Sequence, residues 1–514
     1  MEDETEEGRS TARGLYNLFL GNFTSTLLLA VCAIAVGRIL GPSDYGLYSV
    51  ALILPGYVYL AIQLGIPSAA TRFSAKYAAE GDRKKGVSFI QSLLIFQLLL
   101  SLLSLAVIIP LDSLIAVSVL NRADVAGLLP VAVISVVGNA VYYTGTAGFQ
   151  GLARMDRSAM LQVFQALIKL VASVALILVG FGVFGALVGN TLSLMVSGVA
   201  GLLLIMALGG RPSPKEMWGD IRVALGYSAP LYLAATVSGL LSPYSSTLLA
   251  NFVSNAQIGG YGAAINISAL VTLFVFPIAT ALLPIFSGLG EDRAKQIDVY
   301  QTTARFSALV IVPVTMLIIT LSTPLTAALY GRAYGFAGIF LVGAVAPNLY
   351  AGLGSVVQGP FLAGTGQTRK YMNAVIIASV LALISATVLT PVIGVFGVIA
   401  ANILAQTVSL ALCMRAIRGA LGRSLPSGNL WKIYPASAGA CLAAFAVSLL
   451  PLHPIILTLF GGVVFILVLV PLLALTRTVN SQEVASLATY FSSVRPLSWL
   501  FTVIVMYYEL FSKA

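Results

Sequence analysis

Runs of mainly apolar residues recur along the whole chain, separated by short polar breaks. Each is about 20 residues long, the length a helix needs to cross a hydrocarbon core ~30 Å thick. Walking the chain with that ruler gives about fourteen spans, the first near 14–36, the second 45–69, the fifth 159–180 and the tenth 338–363. Composition agrees: 59% hydrophobic against 9% charged residues lies far outside the soluble range. The reading is an all-α polytopic membrane protein. A last apolar piece, Trp499 to Leu510, is short and flanked by Tyr507, Tyr508 and Lys513, which suits an interfacial helix.

Lysine and arginine in the breaks set the orientation. With the N-terminus in the cytoplasm nearly all of them fall inside, leaving only Arg38, Arg122 and Arg332 outside and Lys169 within a span. Both termini are therefore expected in the cytoplasm, with the protein in the cell (cytoplasmic) membrane. The net charge of +10 follows from this topology and gives no support to nucleic-acid binding. The leader carries Glu2, Asp3, Glu4, Glu6 and Glu7, the wrong charge for a cleaved signal, so the first helix is expected to be retained. Cys32, Cys413 and Cys441 lie in or beside spans without C-x-x-C spacing, so neither a disulfide framework nor a metal site is implied. His453 reads as a plain residue of an outer turn.

The sequence also repeats itself. GVFG at 182–185 returns at 394–397, an offset of 212 shared by Phe149 and Phe361, Arg157 and Arg369, and Asn190 and Asn402. Six spans per copy is an even number, so both copies enter from the same side, as in transporters built from parallel repeats around a midplane site. The expected architecture is two-lobed with a central cavity: two parallel six-helix repeats plus two extra helices. Its parts are a tail (1–13), an N-lobe (14–209), a linker (210–224), a C-lobe (225–418), helices thirteen and fourteen (433–475) and a C-terminal tail (476–514).

Lys169 then stands out. It falls about ten residues into the fifth span, ~15 Å deep at 1.5 Å per residue. Ser158, Gln162, Gln165, Lys169 and Ser173 follow at helical spacing, a polar stripe on one face. A charge at the bilayer centre costs at least ~2.5 to 3.5 kcal/mol, so it should face protein or a watery cavity. All 18 acidic residues fall in breaks or tails, so no carboxylate in a span can neutralise it. A visiting anion explains such a lysine; packing against backbone carbonyls and amides is the plainer alternative. Lys169, Gln162 and Gln165 are the candidate substrate contacts. Gln63, Asn139, Tyr142 and Tyr143, with Asn266 and Gln358 of the second lobe, are further candidates to line the cavity, although each serves equally well as helix-to-helix glue. Arg72, Arg154, Arg157 and Arg305 at the cytoplasmic mouth suit phosphate capture or simply mark topology.

One motif match carries no chemistry. GFGVFG at 180–185 satisfies G-x-G-x-x-G, but it joins two membrane helices and follows no strand, so it reads as a tight outer turn. No Walker A sequence occurs, which argues against direct coupling to ATP, and no cofactor is implied. A coupling ion is not legible.

At GRILGPSDYGLYSVA, residues 37–51, the chain resembles the polysaccharide flippases of the multidrug/oligosaccharidyl-lipid/polysaccharide exporter superfamily. IPSAATRFSAKY and the glycine-basic turns QGLARMDRS and AGTGQTRKY extend the likeness over nearly the whole chain. The resemblance implies a flippase, not an enzyme, exporting a polyprenyl-linked oligosaccharide for surface polysaccharide synthesis. Its partners would be that substrate, the membrane lipids and glycan polymerase or glycosyltransferase machinery. A multidrug cation antiporter of the same superfamily is the nearest alternative, disfavoured because such transport usually calls for buried carboxylates. A membrane-embedded glycosyltransferase or sugar polymerase ranks lower, for want of acid-base residues in the outer breaks.

Overall fold

A computed structural model describes residues 2–210, 212–290, 292–421 and 430–476; the C-terminal tail and its expected interfacial helix at 499–510 lie outside them. Among the described residues every regular element is helical. The chain forms two compact units, Met1–Ala263 with Ala382–Val398, and Ala264–Leu381 with Ile399–Ala514.

In the first unit α1 (Glu2–Ala51) contains two helices merged across Gly41, whose φ of 77° and the Pro42 after it turn the chain at the break expected between the first two spans. The second span is not one helix. It is α2 (Ile53–Ile62) and α3 (Ile66–Ala79), parted by Leu64 and Gly65 at φ 47° and 71°. Ending a helix inside a span strands its last carbonyls, which must find donors within the protein. Gln97 Nε2 donates to the Ile62 carbonyl at 3.1 Å, and the Tyr232 hydroxyl reaches the carbonyls of Leu60 and Ala61 at 2.9 and 3.0 Å.

Next come α4 (Arg83–Ile108), α5 (Asp112–Ser118), α6 (Leu129–Gly151), α7 (Met155–Leu176) and α8 (Gly182–Met206). GFGVFG does form a tight turn: Gly180 and Gly182 both take positive φ between α7 and α8. Helices in lipid associate by close packing rather than by the hydrophobic effect, so small residues mark their crossings. A Cβ on Gly138 of α6 would stand 2.5 Å from the Leu194 carbonyl carbon of α8, and one on Gly189 of α8 2.4 Å from the Ser173 nitrogen of α7. Aromatic and aliphatic side chains, among them Ile90, Leu94, Phe149 and Ile205, fill the space between α4, α6 and α8.

Next in the unit come α9 (Pro214–Phe252) and the start of α10 (Asn255–Gly288). A capping box between Ser213 and Glu216 starts α9 at Pro214, so Asp220, read from sequence as part of a linker, lies inside the helix. There it packs on α4, accepting a 2.7 Å hydrogen bond from the Ser92 hydroxyl.

In the second unit α11 (Arg293–Thr320) and α12 (Ser322–Tyr330) precede a second broken span. The expected helix at 338–363 is α13 (Gly338–Val345), a 3-10 stretch at Ala346–Leu353, and α14 (Ser355–Gly364) after Gly354 at φ 80°. The Tyr434 hydroxyl donates to the Leu349 carbonyl of that stretch at 2.6 Å. Phe286, Tyr300 and Phe361 meet edge to face in its core. Then follow α15 (Thr368–Ile393) and α16 (Val395–Leu421), of which Ala382–Val398 belongs to the first unit, and α17 (Ile433–Ser448) and α18 (Pro454–Leu475).

The 212-residue offset has a structural counterpart. Gly182 and Gly394 open α8 and α16 with φ of 52° and 58°. The turns after α6 and α14 are alike in form, one residue out of that register: Ala153 and Gly366 take positive φ, and the next amide bonds back to the Phe149 or Leu362 carbonyl in a Schellman closure.

Candidate functional site

The polar stripe of α7 faces inward. At 100° per residue, Ser158, Gln162, Gln165, Lys169 and Ser173 centre roughly 180° from Met160, Phe164, Leu167 and Val171. The latter four are all exposed, whereas Ser158, Gln165 and Ser173 are buried. Lys169 is half-buried, and it lies ~21 Å along a helix ~33 Å long.

Its neighbours come from three helices. The Lys169 ammonium lies beside the Tyr48 hydroxyl, and Cys32 and Tyr143 lie within electrostatic reach. The turn at Gly41 explains how Cys32 and Tyr48, both on α1, reach the same depth: one precedes the turn by nine residues and the other follows it by seven. Lys169 likewise stands eight residues before the turn that begins at Ile177. Among the described residues no carboxylate is an electrostatic neighbour of Lys169.

Tyrosines extend the site. Tyr143 is 46% exposed and contacts the rings of Tyr59 and Tyr142, with centroids 5.6 and 5.1 Å away. Asn139, one turn before Tyr143 on α6, keeps a buried Oδ1 without a partner. Tyr48 and Tyr59 were not singled out from sequence. Counting residues from the outer turns would have put Tyr48 at the depth of Lys169; no comparable signal marks Tyr59.

The two glutamines differ. Gln165 is buried and its amide donates to Ser193 Oγ of α8 at 3.2 Å. Gln162 is half-buried and bonds only locally, to Ser158 Oγ at 3.4 Å. Gln63 occupies the break after α2. Asn266, Gln358 and Arg305 belong to the second unit; Gln358 is buried near Tyr300, its Nε2 without a hydrogen-bond partner among the described residues, and the other two have partners of their own.

At the start of α7, the end expected in the cytoplasm, Arg154 is its N-cap and Arg157 lies in its first turn. Desolvation, then the nearby Arg157 and Arg83, push the Arg154 guanidinium below its ordinary range. Its Nη1 is buried without a partner. The exposed Arg72 instead stacks on Tyr227, with Cζ 4.1 Å from the ring centroid. Such a mouth attracts anions and repels cations.

A helical fold with broken spans and a cationic polar site among them defines the class, a polytopic membrane protein with the architecture of a transporter. Residues 35–337 match a family model described as polysaccharide biosynthesis protein, and the chain belongs to that family. No curated protein matches it significantly. Among solved structures, a lipid II flippase MurJ in an inward closed conformation superposes with a TM-score of 0.74 at 14% identity, over 89% of this chain and 98% of that one. An inward-facing multidrug resistance MATE family transporter of the MOP superfamily gives 0.64 at 18%, over 77% and 94%. A MOP superfamily transporter from Pyrococcus furiosus Vc1 (DSM3638), noted for the reverse polarity of its binding pocket, gives 0.52 at 19%, over 80% and 96%. The fold is that of MOP superfamily transporters.

Proposed function

We propose that the protein is a flippase that moves a polyprenyl-phosphate- or pyrophosphate-linked oligosaccharide from the cytoplasmic to the outer leaflet of the cell membrane by alternating access. Lys169 carries this reading: a cation deep among the spans, half-accessible and bordered by tyrosines rather than by a carboxylate. A phosphate needs positive charge and neutral donors, and the lysine, the Tyr48 and Tyr143 hydroxyls and the Asn139 amide offer both. Tyrosine rings add flat apolar faces for the C–H faces of sugars. Membership in a polysaccharide biosynthesis family supports the same substrate class.

The likeness to a MATE transporter keeps a drug exporter as the second reading. A lysine without a carboxylate beside it repels a cationic drug and has no acidic group to exchange for a proton, which disfavours it. Coupling to the membrane potential, or to the concentration gradient of the lipid, suits a site of this charge. The deciding experiment follows transbilayer movement of a polyprenyl-pyrophosphate oligosaccharide in proteoliposomes holding the purified protein. Movement is expected. No movement, with expulsion of a cationic dye instead, would replace the flippase by the drug exporter.

A further inference from the structure

The break in the tenth span has no counterpart in the first copy of the repeat. At the 212-residue offset Gly354, Gln358 and Tyr300 correspond to Tyr142, Thr146 and Ser88. There α6 runs unbroken from Leu129 to Gly151, and the Thr146 hydroxyl donates to the Tyr143 carbonyl at 3.0 Å. In the second copy the helix restarts at Gly354, whose φ of 80° opens α14, ten residues or ~15 Å from its end at Gly364. The first amides of a helix have no acceptor within it, and no side chain caps this start.

Two buried side chains converge there. A Cβ on Gly354 would stand 2.5 Å from the Tyr300 hydroxyl oxygen, so the hydroxyl lies against the N-cap and the glycine is what leaves it room. Gln358 follows one turn into α14, and helical side chains lean toward the start of their helix. Tyr300 and Gln358 are 3% and 4% exposed and lie beside each other. Neither the Tyr300 hydroxyl nor Gln358 Nε2 has a hydrogen-bond partner among the described residues. The packing around them is apolar, from Val357, Phe361, Leu362 and Cys413. Donors left empty in such a setting are costly, so an acceptor is expected between them.

We propose that the start of α14 binds a small monatomic anion of the chloride class, held by the Tyr300 hydroxyl, the Gln358 amide and the first amides of the helix. The sign follows from the helix. Its start carries partial positive charge, and a half-helix that begins inside a span is suited to holding an anion. A side-chain amide can present either of its ends, but a cation would face the repelling end of α14. Among the described residues no carboxylate is an electrostatic neighbour of Tyr300. The size follows from burial: side chains closed off this completely suit a single atom and exclude sulfate or phosphate. A lone water would satisfy the two side chains and leave the charge of the helix start uncompensated. The ion fastens α11 to α14 at the break, and this holds whichever substrate the protein moves.

The test follows thermal unfolding of the full chain in detergent, in sodium chloride, bromide, gluconate and sulfate at equal ionic strength. Crystals grown in bromide are measured at the bromine absorption edge. An ion that binds only the folded state raises the unfolding temperature with concentration. Chloride and bromide at tenfold excess over their Kd should raise it by about 2 °C over gluconate, and sulfate should not. One anomalous peak should lie beside Tyr300 Oη and Gln358 Nε2. Tyr300→Phe keeps the ring against Phe361, and Gln358→Met keeps the length of the side chain. Each should weaken the halide response about tenfold, the loss expected for one good contact. Halides indistinguishable from gluconate, with no bromide peak at the start of α14, would give the site to a water and overturn the assignment. A halide response that both variants retain, or an equal response to sulfate, would overturn it as well. Where a variant does not fold, the bromide peak in the parent decides: at the start of α14 it supports the site, and elsewhere it removes it.

Discussion

Lys169 sits where a charge is costly because its helix gives it no alternative: nonpolar residues fill the outward face of α7, and the inward face meets Tyr48 and Tyr143. A neutral amide there avoids the ~2.5 to 3.5 kcal/mol that insertion scales assign to such a charge. Lys169→Gln should therefore unfold at the same temperature as the parent or higher, while flipping in proteoliposomes falls about tenfold or more. Lys169→Arg keeps the charge and should retain more transport. Asp220 makes the opposite test. Burial pushes its carboxyl above the ordinary range, with Glu216 acting in the same direction and the Ser92 bond and Lys85 opposing. The folded state thus holds the Asp220 proton more tightly than the unfolded chain, so its contribution is most favourable below the unfolded pKa of about 3.9 and is lost as pH rises through the folded value. Asp220→Asn should be at least as stable as the parent near pH 7, with the gap closing toward about pH 4 in thermal unfolding scans. Lys169 and its stripe were legible because helical spacing is local. Tyr48 and Cys32 were not, since their approach to Lys169 depends on how the chain doubles back at Gly41.

Whole elements raise a different question, how a span is interrupted without stranding its backbone. After α2 the Tyr232 hydroxyl serves the carbonyls of Leu60 and Ala61. Tyr232→Phe removes only that hydroxyl and should lower stability in detergent by about 1 kcal/mol, read from thermal unfolding. Packing is equally local. Gly138→Ala places a methyl against the Leu194 backbone, which a helix crossing cannot relieve by a rotamer change; overpacking of this kind costs about 1 to 3 kcal/mol. Hydropathy drew the expected second and tenth spans each as one helix, where the structure has two. It had no means of doing otherwise, because glycine and proline are common in membrane helices and break them only where neighbours supply donors.

Across the molecule, the breaks hold charge in one pattern, basic residues nearly all on one side. That pattern predicts that tags at the two termini, and a cysteine placed beside Arg83, resist a membrane-impermeant thiol or antibody probe in intact cells, while a cysteine placed beside Arg122 reacts. Labelling of the termini from outside would reverse the orientation and move the arginine-rich mouth to the outer face. The sequence by itself determined the membrane class, the helical architecture and the repeat, because each depends on residue type and interval along the chain: apolar length, helical spacing and a recurring turn at Gly182 and Gly394. Only the tertiary structure decided which groups surround Lys169 and which donors rescue the broken spans. Those depend on residues far apart in sequence arriving at the same depth, and a one-dimensional pattern of polarity records depth in a span without recording which neighbour shares it.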